Sequence, residues 1–172
     1  MIQYKNIILI GMPGSGKSTV GVLLAKALGF DFLDTDLTIQ HREGALLQDL
    51  VNRLGVDGFL DAEEAAVRSV SPTGYVISPG GSVVCREGGM EHLKRLGPVF
   101  YLRVPLEELI RRVQNISTRG IAMRPGETLA DIMAYRAPLY ERWADEILDC
   151  PPGQSLEETV AQVLGRIKEE TV

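Results

Sequence analysis

The segment from residue 6 to residue 29 constrains the fold more than any other part of the chain. It opens with the apolar run NIILI, continues through GMPGSGKS at 11–18, and then follows helical spacing to a glycine. A short continuous apolar run is typical of a central parallel strand that is buried on both faces. GMPGSGKS fits the pattern G-x-x-x-x-G-K-[ST]. The segment therefore predicts a strand, a phosphate-binding loop and a helix, in that order.

The residues of this loop suit the phosphates of a nucleotide. Its glycines let the backbone curl so that N–H groups and the helix N-terminus face the phosphates, Lys17 supplies a mobile cation, and Ser18 supplies a hydroxyl for Mg²⁺. The chain contains no N-K-x-D guanine-reading motif, which favours ATP. A degenerate loop that only holds the turn is the alternative. The predicted nucleotide-binding residues here are Gly11, Gly14, Ser15, Gly16, Lys17, Ser18 and Thr19.

Apolar runs typical of strands alternate with helical segments along the rest of the chain, which predicts one α/β domain over residues 1–172. We expect a three-layer fold with a central, mostly parallel five-stranded sheet flanked by helices. The polar interval QNISTRGIAMRPGET lacks clear periodicity. It predicts a lid at about 114–127, with a plain surface loop as the alternative. The predicted strands are 6–10, 30–36, 74–81, 98–104 and 145–150, and the predicted helices are 17–29, about 57–70, one containing EHLKRL, 105–113, 128–143 and 155–169.

Composition limits the possible partners and compartment. A net charge of −5 argues against a nucleic-acid or anionic-membrane partner. No apolar run approaches the roughly 18 residues of a membrane span, and the N-terminal residues lack the pattern of a signal peptide, so a cytoplasmic location is expected. Cys85 and Cys150 are too few for a zinc site or a disulfide framework.

Two acids follow the second apolar run, in the sequence FLDTD. Asp34 and Asp36, two apart, would point the same way from an extended backbone, at the sheet edge where ligands bind in open parallel sheets. Two carboxylates would repel a triphosphate unless a metal or a substrate hydroxyl lay between the carboxylates and the phosphates. We expect one acid to support Mg²⁺ and the other to hold and polarise an acceptor hydroxyl. The alternative is a helix N-cap for the segment starting at Leu37, which needs only one acid.

These motifs together resemble the shikimate kinase family, which belongs to the P-loop small-molecule kinases related to nucleoside monophosphate kinases. The similarity runs along nearly the whole chain. It rests on GMPGSGKST, FLDTD, SPGGSVV, the spacing of Gly55, Phe59 and Glu63, and YRAPLYE at 135–141. The resemblance implies a P-loop kinase fold and ATP-dependent phosphorylation of a small metabolite, most simply shikimate to shikimate 3-phosphate. A cytoplasmic monomer without nucleic-acid or membrane partners is also expected.

Roles for single residues follow from the same resemblance. Asp34 would work with Ser18 to hold Mg²⁺, and Asp36 would bind the hydroxyls of the acceptor. Arg119 would close on the phosphates as the arginine of the lid. The remaining assignments are Lys17, Asp36 and Arg119 as catalytic residues, Arg112 and Arg119 at the nucleotide, and Asp36, Gly80, Gly81 and Arg136 at the acceptor, with Arg136 pairing with its carboxylate.

The chain departs from the family at the acceptor site. The family pattern F-R-x-x-E becomes Phe59-Leu60-Asp61-Ala62-Glu63, so one arginine of a carboxylate clamp is missing. A charged hydrogen bond of that kind contributes roughly 1.5–3 kcal/mol, which corresponds to about ten- to a hundredfold in affinity. Ser82 stands where the family has a third glycine. Arg124 is a candidate replacement cation, and the alternative is that Arg124 lies in solvent.

Two further functions stay open on the sequence. Asp61 lies one helical turn from Asp57, and the pair predicts either a solvated helix face or an acidic pocket for an acceptor that carries an ammonium, such as homoserine. A nucleotide-gated binding protein without turnover is the other alternative. The presence of Lys17, Ser18, Asp34 and Arg119 argues against that loss of activity.

Overall fold

The computed structural model describes residues 4–114 and 119–169, so residues 115–118 of the predicted lid lie outside the described part. Its sheet has five strands in the order β2-β3-β1-β4-β5, and every neighbouring pair is parallel. The predicted α/β fold is thus confirmed, with a sheet that is parallel throughout. The strands are β1 Asn6–Ile10, β2 Asp31–Asp34, β3 Tyr75–Ser78, β4 Val99–Arg103 and β5 Glu146–Asp149.

The described residues form seven α-helices and one 3₁₀ turn at Val83–Cys85. The sequence analysis did not predict the second helix or the first half of the third. Gly55 (φ 70°, ψ 176°) interrupts the third helix, which explains why one continuous helical period is hard to find there. The helices are α1 Lys17–Leu28, α2 Thr35–Glu43, α3 Leu47–Arg68, α4 Glu87–Leu96, α5 Leu106–Arg112, α6 Leu129–Trp143 and α7 Leu156–Glu169.

The central strand β1 lies between β3 and β4, and all five of its residues are buried. Helices cover both faces of such a strand, which accounts for its unbroken apolar sequence. Because the strands are parallel, the loops after β1, β2 and β3 meet at one edge of the sheet. No helix in the described ranges is long and apolar enough to cross a membrane.

A second apolar cluster lies beside the main core. It contains Leu60, which is 5% exposed and packs in one group with Phe59 and Ala122. The other buried members are Ile39, Leu50, Val51 and Ala66. Leu60 is therefore a core residue of this cluster, formed mainly by α2 and α3.

Candidate active site

A cavity of about 720 Å³, the main cavity, opens where the loops after β1, β2 and β3 meet. It brings together nearly all of the predicted site residues. Gly11 and Ser15 are absent from its lining, and both accept hydrogen bonds from Lys17. The predicted residues that line the main cavity are Gly14, Gly16, Lys17, Ser18, Thr19, Asp34, Asp36, Gly80, Gly81, Arg112, Arg119 and Arg136.

The phosphate loop leads directly into α1. Gly16 precedes the helix with φ 90°, a left-handed conformation that favours glycine. Lys17 Nζ donates to the carbonyl oxygens of Gly11 (2.8 Å) and Met12 (3.0 Å). Burial lowers the pKa of Lys17 to about 8, although Asp36 and Asp34 act in the opposite direction. The ammonium is thus still largely protonated at neutral pH.

Ser18 and Asp34 form the predicted metal-binding pair. Ser18 Oγ donates to Asp34 Oδ2 at 3.2 Å, and both residues line the main cavity. The described residues contain no group of three or more His, Cys, Asp or Glu side chains that would hold a metal ion. Mg²⁺ prefers oxygen ligands and is usually bound by one or two carboxylates together with substrate phosphates. A hydroxyl and a carboxylate beside the phosphate loop fit that mode.

The expectation that both acids project from an extended strand is wrong for Asp36. The strand ends at Asp34, whose Oδ1 accepts a hydrogen bond from Asp36 N at 2.9 Å. This contact is an N-cap, because it satisfies an otherwise unpaired amide in the first turn of α2. Asp34 therefore serves as the cap through one oxygen and faces Ser18 through the other.

Asp36 lines the main cavity from the first turn of α2. Its pKa is raised to about 6, first by burial and then by the neighbouring carboxylate of Asp34, while Lys17 opposes the shift. At neutral pH the group is mostly ionised, with a proton affinity well above that of an ordinary aspartate. A carboxylate of this kind suits the orientation of an acceptor hydroxyl and the uptake of its proton.

The glycine pair after β3 is enclosed by polar groups. A Cβ atom added to Gly80 would lie 2.6 Å from Glu63 Oε1 and 2.7 Å from Asp36 Oδ1, so a side chain does not fit there without rearrangement. The hydroxyl of buried Tyr140 donates to the carbonyl oxygen of Gly81. These contacts fix the turn that we expect to contact the acceptor.

Arginines lie at both ends of the main cavity. Arg136 is 4% exposed, and its Nη2 donates to the carbonyl oxygen of Ala122 at 2.8 Å. Near the phosphate loop, Arg112 bonds Glu108 (2.8 Å) and the carbonyl oxygen of Gly14 (3.4 Å). Arg119 lines the main cavity from the described end of the predicted lid.

Several residues of the main cavity were missed by the sequence analysis. Arg111, Gln154 and Ser155 line it as well. The last two precede α7 in a loop that matches no motif, so no sequence signal was available for them. Tyr140 and Glu63 belong to motifs already noted, yet their contacts with the glycine turn arise only from the packing of α6 and α3.

Comparison with known proteins adds the family. The shikimate kinase family model matches residues 13–168. This chain belongs to the shikimate kinase family. It is 36% identical over 163 residues to a shikimate kinase from Thermodesulfovibrio yellowstonii, with 93% of each chain covered. A structure of shikimate kinase from Acinetobacter baumannii in complex with shikimate matches with a TM-score of 0.90 and 28% identity, covering 99% of this chain and 97% of the other.

A second kind of relative carries the same domain within a longer protein. Human Threonine synthase-like 1 is 37% identical over 170 residues, which is 98% of this chain. The chain spans only 23% of the length of that relative. Membership of the shikimate kinase family agrees with the fold and with a cavity at the phosphate loop.

The family's missing arginine has no direct replacement in the main cavity. Leu60 and Arg124 are both absent from its lining. Arg124 Nη2 instead lies 3.3 Å from Asp57 Oδ1, and Asp61, 68% exposed, pairs with Arg86 at 2.9 Å. The acids on this face of α3 are therefore solvated and paired, which supports the helix-face interpretation over an acidic acceptor pocket.

Glu63 is a buried carboxyl group next to the acceptor turn. Ser82 Oγ donates to Glu63 Oε2 at 2.6 Å, so the Ser82 hydroxyl is directed at this residue. Glu63 Oε1 has no hydrogen-bond partner in the described part of the chain. Burial raises the pKa of Glu63 to about 7, with a smaller contribution from Asp36.

We expect Glu63→Gln to stabilise the protein much more at pH 8 than at pH 5. A raised pKa means that the native state binds more protons than the unfolded state, so stability from this group is lost as pH rises from about 4.5 to about 7. Glutamine removes the buried charge and still accepts from Ser82. The free energy of unfolding at pH 8 should rise by on the order of 2 kcal/mol in urea titrations. Exposed Glu91→Gln is the control. If Glu63→Gln changed the free energy of unfolding equally at pH 5 and pH 8, the raised pKa of Glu63 would be contradicted.

Proposed function

We propose that this domain transfers the γ-phosphoryl group of ATP to a hydroxyl of shikimate, giving ADP and shikimate 3-phosphate. One observation carries the proposal: a single cavity joins the phosphate loop to the Asp36 carboxylate and to the buried Arg136 guanidinium. The loop suits a nucleotide. At the other end of the cavity, a carboxylate and an arginine suit a hydroxylated acid, which is the chemistry of shikimate.

Some site residues would neutralise charge on the phosphates, and others would position the acceptor. Lys17 and Arg119 would neutralise charge on the transferring phosphoryl group, together with the N–H groups at the start of α1. Ser18 and Asp34 would hold Mg²⁺, which supplies further neutralisation of the phosphates when it is bound. Loss of this charge compensation would slow transfer far more than it would weaken ATP binding.

The acceptor is held at two points. Arg136 would pair with its carboxylate, and Asp36 would accept the hydrogen bond of the reacting hydroxyl. The hydroxyl oxygen then forms a bond to the γ-phosphorus while the bond between that phosphorus and the β–γ bridging oxygen breaks, and ADP leaves. Asp36 takes the hydroxyl proton, so no further reactant is required.

The segment that carries Arg119 would act as the lid. Gly120 N donates to Gln48 Oε1 at 3.2 Å, which ties this part of the segment to α3. Closure over the main cavity would bring Arg119 onto the phosphates and exclude water from the phosphoryl group. The proposal also includes a monomer in the cytoplasm that has no nucleic-acid or membrane partner, and the net charge of −5 supports the exclusion of nucleic acid.

Leu60 favours one second candidate, a kinase for another small hydroxylated acid such as homoserine. Such an acceptor would still use Arg136 for its carboxylate and Asp36 for its hydroxyl. A coupled ADP-release assay over shikimate, homoserine, gluconate and nucleoside monophosphates separates the candidates. Shikimate should give the highest kcat/KM; turnover of homoserine alone would replace the proposed acceptor, and tight ATP binding without any turnover would favour a sensor.

Arg136→Met is expected to raise the KM for shikimate by about ten- to a hundredfold, because a charge-assisted hydrogen bond to the carboxylate is lost. The KM for ATP should change little. Arg142→Met is the matched control, since Arg142 lies on the same helix and pairs with Glu87 at the surface. An unchanged shikimate KM in the Arg136 variant would remove this residue from the acceptor site.

A further inference from the structure

A second cavity of about 230 Å³, the side cavity, adjoins the acceptor end of the main cavity. Two residues, Ala122 and Arg136, line both cavities and so form a shared wall. One wall of the side cavity is apolar and includes Leu60, Val56 and Ile132, and charged side chains form much of the remaining lining. The side cavity is thus placed where a ligand bound to Arg136 could extend past it.

Leu60 makes this space available. It stands at the position of the arginine in the family pattern and belongs to the buried apolar cluster with Ala122. Leucine carries no donor into the side cavity, and it is shorter than arginine. An apolar protein cavity of about 150 Å³ is large enough to hold benzene. The side cavity therefore has room for a six-membered ring or a short branched chain.

The charge at the shared wall selects an anion. No carboxylate lies within ion-pair distance of Arg136 in residues 4–114 and 119–169, although its side chain is almost fully buried. Buried Glu63 interacts with Arg136 electrostatically but forms no ion pair with it in the described part of the chain, so the guanidinium still gains from an anionic ligand in direct contact. Arg136 thus provides one fixed anion position between the two cavities.

The rim of the side cavity adds little uncompensated charge. Arg86 contacts Asp61 at 2.9 Å and Asp57 at 3.8 Å, and Arg124 contacts Asp57 at 3.3 Å. Both arginines are already paired, and Glu127, which also lines the side cavity, accepts a hydrogen bond from Arg124 N at 2.7 Å, so the rim demands no second anion. The complementary ligand carries one carboxylate and an apolar substituent.

We propose that the acceptor subsite continues into the side cavity. It binds organic acids whose carboxylate group pairs with Arg136 and whose apolar ring packs against Leu60. The inference deepens the proposed function and rests on it for the identity of this end as the acceptor subsite. Shikimate itself uses only the main-cavity half. Acceptors or competitive inhibitors that carry an added apolar group on the side of their carboxylate would occupy both the main cavity and the side cavity.

Calorimetric titration of acetate and phenylacetate tests the inference without ATP or turnover. Phenylacetate should bind the unmodified protein at least about tenfold tighter than acetate, because its ring is buried. Leu60→Trp fills the side cavity and should abolish that gain while leaving acetate affinity unchanged. Leu54→Trp, on the exposed face of the same helix, should preserve the gain.

A second substitution guards against a folding defect at Leu60. Val56→Trp fills the side cavity from another wall and should abolish the same gain, with thermal unfolding used to verify that each variant is folded. Equal binding of the two carboxylates, or a ring gain that survives both filling substitutions, would overturn the proposal by placing the ring elsewhere. Failure to phosphorylate shikimate would overturn only the proposed function, because these titrations do not depend on turnover.

Discussion

Replacing Lys17 with methionine is expected to lower kcat by about 10²–10³-fold, the scale seen when one preorganised donor to a charged transition state is lost. Lys17 is the cation of the phosphate loop, and in the structure its ammonium is held by loop carbonyl groups at 2.8 and 3.0 Å. Methionine keeps an unbranched side chain of similar length but removes the charge that compensates the transferring phosphoryl group.

The measurement is the kcat for acceptor-dependent ADP release, with ATP affinity determined separately by titration. The loss should fall mainly on kcat, because charge on the phosphoryl oxygens is best matched in the transition state. Lys26→Met is the matched control, since Lys26 lies in the last turn of the same helix and is exposed. A Lys17 variant that keeps more than a tenth of the original kcat would show that the loop binds nucleotide without contributing to transfer.

Asp36→Asn is expected to lower kcat by about 10²–10⁴-fold, the usual range for a group that accepts the proton of a reacting hydroxyl. Asparagine has nearly the same shape, and the capping contact from Asp36 N to Asp34 uses the backbone. The loss should therefore report chemistry rather than local unfolding. Asp31→Asn, at the exposed start of β2, is the control.

The pH dependence of kcat/KM provides an independent check of Asp36 and Lys17. Asp36 must be ionised to accept a proton, so kcat/KM should fall as pH drops through about 6. Lys17 must be protonated to neutralise the phosphates, so kcat/KM should also fall as pH rises through about 8. The residual activity of Asp36→Asn should lose only the acidic limb. A variant profile that keeps both limbs would assign the acidic one to another group.

Local patterns explain why much of the fold was predictable from sequence. The strand bounds and the phosphate loop depend on short-range apolar periodicity and on glycines, which sequence displays directly. The helix α2 was harder, because its start depends on Asp34 acting as an N-cap rather than continuing the strand. An aspartate in an extended segment is compatible with continuing the strand and with capping a helix. The pairing of the strand within the sheet decides between these two outcomes.

Sequence motifs predicted individual residues of the candidate site. The contacts that packing creates around those residues were less predictable. The phosphate loop, both acids and Arg136 do line one cavity. The contact between Glu63 and Ser82, in contrast, results from the packing of α3 against the Ser82 turn. Leu60 could be recognised in sequence as a departure from the family pattern, but only the structure places it beside a second cavity.

The identity of the phosphoryl acceptor is tested most directly by following phosphorus from ATP with ³¹P NMR in the presence of Mg²⁺ and shikimate. We predict one phosphorylated shikimate for each ADP formed, with no appreciable ADP in the absence of an acceptor. Inorganic phosphate as the phosphorus product, or ADP formation at the same rate without shikimate, would contradict transfer to an acceptor held by Asp36 and Arg136.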